Sequence, residues 1–199
     1  MHRARATCQG VHLAAVALWL GATLMTGVAA AIAFPTMRDL DPALPAFADY
    51  PTDHWMIAAG IVMNKVFAIL DYASVALAII ALQALVIAAM PCRLRLSAPS
   101  SIVRLLALAG ALASLAYSLF FLRPQMNAHL REFHDHALAG RIAQADAARA
   151  AFDALHPAAS NALSLIAVAL LILIIAGIWS LATDPASPLR GEDVNEVDR

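Results

Sequence analysis

Two imidazoles and a carboxylate at positions 129, 132 and 136 form the grouping in this chain with the clearest capacity for chemistry. At 100° per residue, His129, Glu132 and His136 fall within about 60° of one another on a helix, so their side chains would share one face. Such a set could hold a divalent metal and leave coordination positions open. One amphipathic face rarely supplies a whole ligand set. A fourth ligand would have to come from His54, Asp53 or water, with Asp135 and Asp49 as the nearby acids that could orient the rings. The competing reading is a solvated polar face beside an apolar stripe, and it is preferred here. His134 points elsewhere on such a helix.

Asp71 is the one carboxylate inside a spanning stretch. An acid there is costly to leave charged, which makes it a candidate proton carrier. Asn64 lies seven residues earlier and shares its face. The preferred register puts Asp71 near the outer interface, where hydration or an arginine partner would also satisfy it. His12 and His156 invite a haem reading with two axial histidines. They open different helices on opposite sides of the expected bilayer, so that reading is set aside. No P-loop, GxSxG, HExxH or paired catalytic carboxylate motif is present, and no cofactor is implied. Cys8 and Cys92 sit beside arginines near expected helix ends and read as two free thiols.

The elements that must position these residues are set by composition. The 199 residues are 62% hydrophobic and 14% charged, far from the even apolar balance of soluble domains. A net charge of −1 points to no nucleic acid and no acidic partner. Lys65 is the only lysine against twelve arginines, and alanine is abundant, a composition that suits a bacterial chain. Spanning a bilayer takes about 20 apolar residues. Four stretches qualify, at about 11–34, 69–90, 102–122 and 158–182, and prolines at Pro35, Pro91, Pro124 and Pro185 read as their stops. The second stretch extends back to Met56, which is too long for one crossing. Residues 54–67 should therefore be an amphipathic helix in the interface or a helical extension beyond it. The first stretch could instead be a cleaved leader ending near Ala29-Ala30-Ala31. Its length, with Trp19 and Gly21 inside it, favours a retained helix.

Between the third and fourth stretches, Met126, Leu130, Phe133 and Ala137 recur at helical spacing. Gly140 can end that helix, and an Ala-rich helix follows over 141–155. These are expected as two short amphipathic helices on the outer face. Small residues four apart, such as Ala17 with Gly21, Gly27 with Ala31 and Gly110 with Ser114, allow close helix approach. Arginines at 3, 5, 93, 95 and 104 flank the expected inner side, and Asp39, Asp41, Asp49 and Asp53 fill the first loop. Both termini should therefore be cytoplasmic.

Three motifs in order give the chain a resemblance. The first is His12 with Trp19-Leu20-Gly21 and Ala33-Phe34-Pro35. The second is Tyr117 through Phe121-Leu122-Arg123-Pro124-Gln125-Met126. The third is Arg149, Phe152 through His156, and Ser160-Asn161. Over residues 12–179 this resembles the transmembrane protein 205-like family of small four-helix bacterial membrane proteins. The resemblance implies that fold and no established activity. It also implies that Arg149, Phe152 and His156 act together, as a structural clasp at the outer end of the third helix or as a contact to phosphate headgroups. Trp19, Gly21 and Arg123 belong to the same motifs.

The expectation is thus an all-α integral membrane bundle of four transmembrane helices over residues 1–184, followed by a polar, disordered tail at 185–199. It should sit in a bacterial inner membrane. Its partners should be the lipid bilayer and either a homo-oligomer or another membrane protein. The expected role is a non-enzymatic membrane module that packs with partner proteins or assists a membrane complex. The alternative is a small oligomeric transporter or ion-handling protein that uses Asp71 and the outer histidines.

Overall fold

A computed structural model describes residues 2–51, 53–89 and 98–182. The expected proline stops at 91 and 185, the connection carrying Cys92, Arg93 and Arg95, and the polar tail lie outside the described residues, as do the side chains of Arg3 and Arg5. The described residues form helix and turn only. In chain order they are α1 (His2–Leu40), a 3-10 turn (Pro45–Phe47), α2 (His54–Ala89), α3 (Pro99–Tyr117), a π-helical turn (Ser118–Leu122), α4 (Arg123–Leu138) and α5 (Ile142–Ala182). Among the described residues four stretches are long and apolar enough to cross a membrane: Thr7–Leu40, His54–Ala88, Pro99–Leu138 and Ile142–Ala182. Helix is the form that lets a backbone leave water, because every N–H and C=O is satisfied within the segment.

All four stretches are longer than expected; three of them run through a proline, and the second runs back to His54. Pro35 lies inside α1, which continues to Leu40, and the helix persists far enough for Asp41 N–H to donate to Met37 C=O at 3.1 Å. A proline forfeits one hydrogen bond and crowds the preceding turn, but residues after it can resume the pattern. Pro124 is accommodated differently. The π turn before it places the Arg123 N–H on Ser118 C=O, and Pro124 then falls at the start of α4. A wider turn of this kind absorbs the strain without ending the helix. Pro157 lies inside the 41-residue α5.

The segment expected as two short separate helices is accordingly helical but joined to its neighbours. Residues 123–138 follow directly from the π turn, and 142–155 are the first part of α5. Residues 54–67 likewise take the extension form and run without a break into α2. At 36 residues, α2 is about 54 Å long, against a hydrocarbon core near 30 Å. Gly140 ends α4 as expected. Its φ is +65°, and Arg141 N–H reaches His136 C=O at 2.9 Å while Gly140 N–H reaches Ala137 C=O at 3.2 Å, the paired bonds of a left-handed helix cap. A Cβ at Gly140 would also lie 3.3 Å from Asp49 Cβ.

The chain forms two compact units, one of 1–20, 75–112 and 166–199 and one of 21–74 and 113–165. In the first, the core is Val16, Trp19, Leu85, Leu108, Leu170 and Leu173, interleaved with Ala15, Ala78, Ala81, Ala111 and Ala176. In the second, Phe47, Tyr50, Ile57, Phe133, Ala137, Ala145 and Ala148 form one cluster, flanked by Leu44 and Leu130. Large apolar side chains such as Leu18, Ile69, Ile79, Leu106, Leu165 and Ile175 point outward. Alanine inside and leucine or isoleucine outside is the arrangement of helices packed in lipid, where close backbone approach replaces hydrophobic collapse.

Candidate functional site

In the second unit the charged side chains close on one another. Asp71 on α2 and Arg123 at the start of α4 meet at 2.9 Å and 3.2 Å, with side chains 23% and 19% exposed. The Arg123 guanidinium also lies over the Phe67 ring at 4.7 Å, a cation–π contact that holds the fork in place. Asp71 thus has an arginine partner, one of the two ways in which the sequence allows it to be satisfied. Tyr72, Tyr117, Phe120 and Phe121 near this pair are all exposed, as interfacial aromatics are.

A second set ties α5 to the first loop. Arg149 Nη1 donates to Asp53 Oδ2 at 2.9 Å, and the Tyr50 hydroxyl donates to Asp146 Oδ1 at 2.7 Å. Asp53 sits at φ +57°, a left-handed position that aspartate tolerates, and its carbonyl accepts from Met56 and Ile57. Phe152 and His156 pack edge to face at 4.7 Å, and His156 lies 3.8 Å from Asp153. Of this set only Arg149 is seen to reach another segment, at Asp53 and Met56, while the Phe152 and His156 contacts stay within α5.

His54 has a role the sequence did not reveal. Leu44 N–H donates to its Nδ1 at 3.1 Å, so Nδ1 is the acceptor. Nε2 then carries the proton and donates to Tyr50 C=O at 2.7 Å and Phe47 C=O at 3.0 Å. Both ring nitrogens are spent on the loop backbone, which leaves none to complete a metal site. His129 Nδ1 and Glu132 Oε2 approach to 3.3 Å in an exposed pair. His136 turns away with its Nδ1 buried and without a partner among the described residues. No three His, Cys, Asp or Glu side chains converge to hold a metal ion among the described residues. Ile61, Asn64, Lys65, Asn127, Leu130, Arg131 and His134 line an open groove of about 450 Å³.

The first unit holds a different arrangement. His12 is fully buried and its Nδ1 donates to Ala81 C=O at 2.9 Å. Its Nε2 has no partner among the described residues, nor do Gln9 Oε1 and the three nitrogens of the Arg104 guanidinium. Arg104 had counted only as a topological charge. The signal that could have found it is its spacing from Ser100 and Ser101, which puts three polar groups on one face of α3. Of the other motif residues, Trp19 is fully buried and Gly21 is exposed. Compared with family models, with curated proteins and with solved structures, the chain finds no match.

Proposed function

We propose that this protein is a non-enzymatic, multi-pass membrane module that packs against a partner membrane protein, and that it is a member of the transmembrane protein 205-like family. The observation that carries the packing role is a small-residue face on α1. Gly10, Ala14 and Ala17 recur at helical spacing and all three are exposed. A Cβ at Gly10 would meet nothing within 4 Å, and the same holds at Gly21. Lipid is met equally well by leucine or methionine, as at Leu18, Leu24 and Met25. Small residues with no neighbour in their own chain let a second helix approach closely. The closed pairing of Asp71 with Arg123 and of Arg149 with Asp53 supports a structural rather than a catalytic role. Family membership rests on the order and spacing of the three motifs. Residence in a bacterial inner membrane with cytoplasmic termini rests on the arginine bias of the short flanking segments.

The test is cross-linking in native membranes with wild type and with Ala14→Leu and Gly21→Leu variants. The expected result is a discrete complex with a different membrane protein that both variants lose while their thermal stability is unchanged. The same complex formed by wild type and variants alike would refute the α1 face. A defined homo-oligomer would favour the transport reading instead.

A further inference from the structure

Arg104 is 1% exposed, and none of its guanidinium nitrogens meets a hydrogen-bond acceptor among the described residues. A guanidinium stays protonated in proteins, so it cannot shed its charge. Holding an unpaired ion out of water is strongly unfavourable even after relaxation. A counter-charge is therefore required.

The local geometry indicates what it is. Arg104 sits in the second turn of the 19-residue α3, which starts at Pro99. Helical side chains lean toward the N-terminus, the end where the backbone dipoles also favour an anion. Ser100 and Ser101, four and three residues earlier on the same face, are 5% and 3% exposed. His12 on α1 and Arg104 on α3 are both fully buried in the same compact unit. Because Nδ1 of the His12 ring donates to Ala81, the neutral imidazole leaves Nε2 as a bare acceptor. Gln9, one helical turn away, is 2% exposed and contributes Oε1, a second unpartnered acceptor.

The interior of this unit thus holds both surplus charged donors and unpartnered acceptors among the described residues. A carboxylate would answer the arginine and leave His12 and Gln9 unmet. A phosphate group that carries its own donor answers both: its anionic oxygens take the guanidinium, and a P–OH, hydroxyl or ammonium meets Nε2 and Oε1. Five residues of helix rise separate Arg104 from the start of α3, about 7.5 Å, which a long arginine side chain can span to reach headgroup depth.

We propose that Gln9, His12 and Arg104, together with the first turn of α3, form a buried anion site that takes a phosphate group bearing its own hydrogen-bond donor, supplied by a phospholipid headgroup or by free phosphate. This site does not depend on the α1 packing face.

The test uses the full-length protein in detergent, stripped of lipid and transferred to phosphate-free buffer. Phosphatidylglycerol, phosphatidylethanolamine and inorganic phosphate are titrated separately, and native mass spectrometry and the thermal midpoint are read. One phosphate-bearing ligand should bind per chain. Affinity should fall at least about tenfold in Arg104→Gln, as expected for loss of one charged hydrogen bond. It should fall several-fold in Gln9→Leu, which keeps the charge and serves if Arg104→Gln fails to fold. Binding by the phospholipids but not by inorganic phosphate assigns the lipid source, and binding by inorganic phosphate alone assigns the soluble one. The site is overturned if none of the three binds the wild type, or if binding is unchanged in both variants.

Discussion

Arg104 in α3 and Arg123 at the start of α4 lie one in each unit, and their charges are met in opposite ways. Arg123 finds Asp71 at 2.9 Å and the face of Phe67. Arg104 finds no acceptor among the described residues, and two unpartnered acceptors share its unit. The second unit answers its charges internally, through Asp71–Arg123, Asp53–Arg149 and Tyr50–Asp146. The first leaves the Arg104 charge unanswered among the described residues. A closed ion pair resists change because removing either partner strands the other. An open one is a place where a ligand can alter stability.

The same substitution at the two arginines gives the largest contrast. Arg123→Met strands the Asp71 carboxylate and should cost about 3 kcal/mol, the low end for a buried pair, because both side chains are partly exposed. Adding Asp71→Asn should recover much of that loss. Arg104→Met strands no partner, and in detergent free of lipid and phosphate it should cost under about 1 kcal/mol or even stabilise. Reversible unfolding in mixed micelles measures both. Equal losses would erase the distinction between the two units.

A smaller effect is expected where the second unit is closed by neutral bonds. His54→Ala removes the acceptor for Leu44 N–H and the donor to the Tyr50 and Phe47 carbonyls, at about 2 kcal/mol. Amide exchange over residues 41–51 should accelerate with no change in the spanning helices. Unaltered exchange in that loop would mean that the imidazole is not what holds it.

The smallest effect belongs to His129 and His136. A His129→Ala/His136→Ala double variant should lie within about 1 kcal/mol of wild type, because His129 makes only an exposed pair and the buried His136 Nδ1 has no hydrogen bond among the described residues to lose. It should bind zinc as weakly as wild type does. Stoichiometric zinc that disappears in the variant would show that a metal site assembles from the exposed His129–Glu132 pair after all.

Sequence alone determined that the chain is helical and carries four stretches fit for a membrane. The hydrocarbon sets both length and apolarity, and 62% hydrophobic residues in four runs leave little alternative. It also located the break at Gly140, because a left-handed cap favours glycine strongly enough to be read locally. It misjudged where the helices end, since whether Pro35 or Pro124 stops a helix depends on whether the next turn can widen or continue. The acid at 71 and the arginines at 123 and 149 could be named as residues of interest. Their partners could not, because Asp71 and Arg123 are 52 positions apart and Asp53 and Arg149 are 96 apart. Nor could spacing predict that His54 would spend both nitrogens on backbone or that Arg104 would lose all contact with water. A side chain's polarity is written in its residue type, whereas its burial and its partner are decided only when distant helices pack.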